Sequence, residues 1–135
     1  MKVLIDTNII LDVLCKRSGF YEDSARVWKF CEIKKIFGVV SALSVPNIVY
    51  IMRKELDTHK TKIILNKLSL IFTIEDLKTG DLRKAAEMNF RDYEDAVQSA
   101  CASRIKADYI ITRNIRDFAG SKVAALMPAE FLERI

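Results

Sequence analysis

One histidine, four glycines and two prolines are all that 135 residues contain of those types, and each shortage removes a class of chemistry. His59 stands alone in the polar stretch DTHKTK and reads as a solvated loop residue between helices. No histidine triad or histidine-rich metal site can be assembled around it. None of the glycines sits in a glycine-rich loop after an apolar run, which excludes the nucleotide and dinucleotide phosphate cradles. Cysteine is scarce as well: Cys15, Cys31 and Cys101 are widely spaced, odd in number and without a Cys-x-x-Cys pair. That excludes a disulfide framework and a structural zinc site. It leaves small core hydrophobes of apolar helices in a reducing compartment.

Long apolar runs are missing too. IILDVL and VVSALSVPNIVYIM are too short or too polar for a membrane span, which needs roughly 18 consecutive apolar residues. A single Lys precedes the first apolar run and Asp6 interrupts it early. No signal peptide is read there, so the expected address is cytoplasmic, with no membrane partner. No repeat, low-complexity tract or linker breaks the chain, and residues 1–135 read as one domain. Half the residues are hydrophobic and 30% charged, a balance that buries a core without staples. The net charge of +4 is dispersed and compatible with a phosphate-rich partner, without identifying one.

What is present is an alternation of short apolar runs with longer helical patterns. KVLID, FGVVSA, LIFTIE, DYIIT and KVAAL read as strands. Helices are expected over Asn8 to Lys16, Tyr21 to Lys35, SVPNIVYIMRKEL, Lys60 to Leu68, from near Thr79–Asp81, over Tyr93 to Lys106, and over PAEFLERI. Thr7 and Asn8 are cap candidates for the first, and Ser44 for the third, with Pro46 in its first turn. This alternation predicts an α/β fold, a three-layer α/β/α sandwich around a short, mainly parallel sheet. In such sheets ligands lie beyond the carboxyl ends of the strands, where the strand order reverses.

Three stretches place acids near such ends: IDTN, RDYEDAVQSA and ITRNIRDF. Asp6 leaves the first strand and is open to two readings, a helix cap or a site acid; the cap is over-supplied by Thr7 and Asn8. Asp92 suits an N-cap, with acids favoured at that helix end. Asp95 lies near the border of the small-residue face AVQSACA, which suits a carboxylate directed into a cleft. Asp117 follows Thr112 and Asn114 after the fourth strand, and Phe118 is expected to anchor that loop. Acids gathered from separate elements repel one another unless a cation holds them. An all-oxygen set suits Mg²⁺ or Mn²⁺, whose chemistry there is phosphodiester hydrolysis. A phosphatase of the haloacid-dehalogenase type needs Asp-x-Asp after the first strand. Asp6-Thr7-Asn8 lacks its general acid.

IDTNIILDVL, SALSVPNIVYIMRK, RDYEDAVQSACA and ADYIITRNIRDF occur in an order that resembles the PIN-domain family from Met1 to about Leu132. The resemblance is to the VapC-like toxin ribonuclease branch that carries Asn in place of the second acid. It implies a metal-dependent endoribonuclease acting on single-stranded RNA, the toxin of a toxin–antitoxin pair. By that likeness Asp6, Asp95 and Asp117 are catalytic and bind Mg²⁺ or Mn²⁺, and Asp92 is a further ligand beside them. Thr112, Asn114 and Asn8 support the site, and Asn47 stands where the family usually has glutamate. Arg113 and Arg116 bracket Asn114 and are the leading RNA contacts, ahead of Lys16, Arg17, Arg53, Lys54 and Arg91. Tyr21, Tyr50 and Tyr93 are candidates for stacking on bases. Expected partners are RNA, an antitoxin protein and a second copy of the chain, with IVYIMRKEL and KIILNKLSLIF as association surfaces. Asn47 also favours an alternative of another class, a PIN fold that binds RNA or protein without turnover.

Overall fold

Period-two alternation of apolar side chains builds the centre of the molecule, whose computed structural model describes residues 1–135. The strands are β1 (Lys2–Ile5), β2 (Phe37–Ser41), β3 (Thr73–Glu75), β4 (Tyr109–Ile111) and β5 (Ala125–Leu126). They form one sheet in the order β3-β2-β1-β4-β5, and every pairing is parallel. The helices are α1 (Thr7–Leu14), α2 (Tyr21–Glu32), α3 (Ser44–Ile51), α4 (Thr58–Ile71), α5 (Thr79–Glu87), α6 (Tyr93–Arg104) and α7 (Pro128–Leu132).

Successive strand residues face opposite layers, so both faces need cover. Val3, Ile5, Val40 and Ile111 pack into a core with residues of α1, α2, α3, α4 and α7. Leu4, Val39 and Ile110 point the other way, toward Cys101 and Ala102 of α6 and toward Phe118. Val3, Leu4 and Ile5 are all buried, each contributing on the order of 1.5–3 kcal/mol by leaving water. The expected three-layer α/β/α sandwich is therefore the observed one, with a sheet wholly parallel. No helix is long and apolar enough to cross a membrane.

Several boundaries differ from expectation, for identifiable reasons. α1, α2 and α6 end about two residues early, at lysines with positive φ: Lys16 (48°), Lys34 (62°) and Lys106 (57°). Each closes a Schellman motif. The N–H groups of Lys16 and Arg17 donate to the carbonyls of Val13 and Asp12, and the pairs at Lys34–Lys35 and Lys106–Ala107 repeat the pattern. Glycine is the usual occupant of that conformation, so lysine gave no stop signal. α4 runs on to Ile71 and shortens the strand expected over LIFTIE, while α3 stops at Ile51 rather than Leu56. His59 lies exposed in the first turn of α4, not in a loop, and Cys15 is exposed rather than core. Ser44 lies inside α3 and caps nothing.

Candidate active site

β1 and β4 lie side by side, but the chain leaving β1 crosses to β2 on one flank and that leaving β4 to β5 on the other. Their carboxyl ends therefore open a crevice at the reversal point. Asp6 and Thr112 are the first residues past those ends, and the Asp6 N–H still donates to the Ile111 carbonyl at 3.0 Å.

Asp6 combines both of its readings. Its Oδ1 accepts the Thr7 N–H at 2.8 Å, capping α1, while Oδ2 accepts the Thr112 hydroxyl at 2.8 Å. Thr112 Oγ1 in turn accepts the Asn114 N–H at 3.0 Å, which ties the loop after β4 to the end of β1. Burial pushes the Asp6 carboxyl above its ordinary range, opposed by hydrogen bonds from Thr112, Thr7 and Gln98 and by the Arg113 charge. Beneath it runs a buried polar chain. Thr7 Oγ1 and Ser44 Oγ are 2.7 Å apart, and Gln98 Nε2 donates to Ser44 Oγ at 3.0 Å. The other amide atom, Gln98 Oε1, is buried and has no partner.

A cleft of about 300 Å³ collects residues from four places in the chain. Asp6, Thr7 and Asn8 come from the end of β1 and start of α1; Asn47, Tyr50 and Ile51 from α3; Asp92, Glu94, Asp95 and Gln98 from the start of α6; Asn114 and Asp117 from the loop after β4. Asp92 caps α6, its Oδ1 accepting the Glu94 N–H at 2.8 Å. Asp117 rides a short 3-10 turn, Ile115–Phe118, anchored by the buried Phe118 ring. Asp95 feels all of them: burial first, then Asp6, Asp92, Asp117 and Glu94, push its carboxyl up to about 7. Glu94 is raised by burial and by the charges of Asp92 and Asp6, against a hydrogen bond that the Asn47 amide donates to its Oε1. No three acidic side chains are arranged to hold an ion between them, and unneutralised like charges repel.

The structure thus brings Asp6, Asn8, Asn47, Asp92, Asp95, Asn114 and Asp117 to one cleft, with Thr112 hydrogen-bonded behind Asp6. Arg116 lies next door, in a hollow it lines with Arg91, Asn89 and Asp117. Arg113, expected at RNA, is paired with a buried acid. Its Nε is 3.0 Å from Oδ2 of the fully buried Asp12, and its guanidinium lies 3.9 Å over the Phe20 ring. Sequence reasoning gave no site role to Glu94, Gln98, Ser44 or Asp12. Gln98 and Asp12 carried a signal, each being a polar residue within an otherwise apolar or small-residue helix face. Ser44 looked like a cap.

A PIN domain family model matches residues 2–116, most of the chain. The protein belongs to the PIN-domain family. Among solved structures, this PIN domain is similar to a toxin–antitoxin complex from Klebsiella pneumoniae (TM-score 0.71, 21% identity, 93% of this chain and 97% of that one). It is also similar to VapBC2 from Rickettsia felis bound to a promoter DNA fragment (TM-score 0.70, 15% identity, covering 94% and 98%). A third is Mycobacterium tuberculosis VapC20, described as a Sarcin-Ricin loop cleaving toxin (TM-score 0.64, 11% identity, covering 80% and 86%). At these identities the likeness is one of fold. No curated protein matches in sequence.

Proposed function

We propose that this PIN domain is a metal-dependent endoribonuclease that hydrolyses phosphodiester bonds in single-stranded RNA, as the toxin of a toxin–antitoxin pair. The observation that carries the reading is the convergence of Asp6, Asp95, Asp117 and Asp92, from three separate elements, on one cleft. Their crowding, which lifts Asp95 to about 7, is what a cation relieves. The acids and amides of the cleft offer oxygen donors, and Gln98 Oε1 is a buried oxygen in want of a partner. That set fits a hard divalent ion, Mg²⁺ or Mn²⁺. Asp6, Asp95 and Asp117 would hold it, with Asp92 beside them, by drawing in on the ion from positions where no three acids yet enclose one.

When bound, such an ion supplies positive charge at the scissile phosphate and lowers the pKa of water. The protein's own part is positioning. Asp6 is fixed by Thr7 and Thr112 and forms the rigid wall of the cleft. Asp95, the carboxylate most crowded by the other acids, is the one whose charged form a bound ion would favour most. Asn114 and Asp117 line the same cleft, and no covalent intermediate is needed.

The substrate class rests on the surroundings. Arg116 and Arg91 line the hollow that shares Asp117 with the acidic cleft, so a phosphate next to the scissile one meets positive charge. Tyr50 is 65% exposed on the cleft rim, and with the Arg53 guanidinium 4.2 Å over its ring it offers a base the other face. The descriptions of the structural neighbours as toxin–antitoxin complexes support the toxin role and an antitoxin partner. Exposed Tyr50 and Ile51 on α3, with Ile63, Leu65 and Leu70 on α4, support association with an antitoxin helix or a second copy.

Asn47 favours the second reading, a binding module without turnover, because it brings no charge. The two separate in one experiment. A single-stranded RNA is incubated with wild type and with Asp117→Asn, in Mg²⁺ or Mn²⁺ and in EDTA. Cleavage that needs the metal and is lost in the variant is the expected result. RNA that is bound but stays intact in either metal would favour the binding module.

A further inference from the structure

The uncharged Asn47 is not an empty position in the cleft wall. Its side-chain amide donates to Oε1 of Glu94, reaching from α3 to the start of α6. The amide thereby draws a carboxylate to the place where Asn47 itself has none. Glu94 and Gln98 are four residues apart, on one face of α6, and both line the cleft. Gln98 is 3% exposed, and its Oε1 has no hydrogen-bond partner. A buried oxygen without a donor costs free energy unless a cation or water meets it. The α6 face that carries Glu94 therefore also carries, on a residue that lines the cleft, a buried oxygen without a partner.

We propose that Glu94, oriented by Asn47, is a metal-ligating carboxylate of this cleft and supplies from α6 the negative charge that α3 lacks. Asn47 is then a positioning residue: its amide holds Glu94 and has no charge of its own to add. The proposal rests on the metal-dependent reading above and assigns the missing charge to Glu94 rather than to Asp92. The hydrogen bond from Asn47 goes to Glu94, whereas Asp92 Oδ1 accepts the Glu94 N–H as the cap of α6. Glu94 is exposed, so neutralising it leaves the core intact.

The test is calorimetric titration of Mn²⁺ into the metal-free full chain, with melting temperature as the control for folding. Glu94→Gln is expected to weaken Mn²⁺ by at least about tenfold, the lower end for groups that tune a metal site, with a melting temperature no lower than that of wild type. A swap variant, Asn47→Glu with Glu94→Asn, returns the charge to α3 and keeps an amide–carboxylate pair. It is expected to recover affinity to within roughly threefold of wild type. Wild-type affinity in Glu94→Gln would overturn the proposal while the metal-dependent reading stands. A swap variant as weak as Glu94→Gln would overturn the claim that the two residues share one ligand position. Wild type that binds no Mn²⁺ would overturn both this proposal and the reading beneath it.

Discussion

Replacing Arg113 with methionine separates a structural role from an RNA-contacting one. Asp12 is completely buried, and its nearest cations are Arg113, with Nε 3.0 Å from Oδ2, and Arg17, with Nη1 3.6 Å from Oδ1. Ser24 Oγ donates to Oδ2 at 3.3 Å. Methionine keeps part of the stem but removes the charge and the guanidinium that lies over Phe20, leaving a buried carboxylate with its more distant cation. Breaking a buried pair costs about 3–5 kcal/mol when nothing replaces the lost partner. Arg17 and Ser24 remain in place, so about 2–3 kcal/mol is the expected loss. For a chain of this length that is roughly 8–10 °C in Tm. Because Arg113 follows Thr112 directly, the loss also loosens the loop that carries Asp117. Thermal melts of wild type, Arg113→Met, Asp12→Asn and the double variant form a cycle. Adding Asp12→Asn to Arg113→Met should restore at least half of the lost stability, since no unpaired charge then stays buried. Arg113→Met that melts within about 2 °C of wild type but loses affinity for RNA would refute this reasoning and return Arg113 to the phosphate.

Other outcomes follow from the same geometry. Asp95 is raised from 3.8 to about 7, so between those values the folded chain binds more protons than the unfolded one. Stability without metal should therefore fall as pH rises through that window and level off above it; urea unfolding in EDTA at several pH values checks this, and Asp95→Asn should flatten the slope. Mn²⁺ must displace the Asp95 proton, so its affinity should drop about tenfold per pH unit below about 7, read by calorimetry. Lys106→Gly should stabilise the protein by about 0.5–1 kcal/mol, relief of the left-handed strain exceeding glycine's extra unfolded-state entropy. A lower midpoint in urea for that variant would contradict the helix-end assignment.

The layers of the fold were legible because each strand is a short apolar run whose alternation serves two faces, and the sheet order put the ends of β1 and β4 together. Asp6, Asp95 and Asp117 could be singled out for a related reason: they sit at element ends, where local sequence announces both the element and its exit. Glu94 could not be distinguished from Asp92 and Asp95 by spacing. Its distinctive feature is a hydrogen bond from Asn47, 47 residues away. Ser44 was misread because a serine at a helix start resembles a cap, whereas its hydroxyl joins Thr7 to Gln98. The pairing of Arg113 with Asp12 was not legible, because a cation beside a site motif looks available to a phosphate until a buried partner is seen. The early helix ends at Lys16, Lys34 and Lys106 escaped notice because backbone geometry, not residue type, makes them stops.

Whether the acids of this PIN domain form a metal site for RNA hydrolysis is decided by Mn²⁺ calorimetry on wild type and Asp6→Asn, with single-stranded RNA cleavage run on both. Asparagine caps a helix as well as aspartate does, so α1 keeps its start while the cleft loses a charge. Saturable binding and cleavage in wild type, both collapsing in the variant, is the expected result. A folded wild type that takes up no Mn²⁺ even with RNA present, or an Asp6→Asn variant that binds and cleaves like wild type, would contradict it.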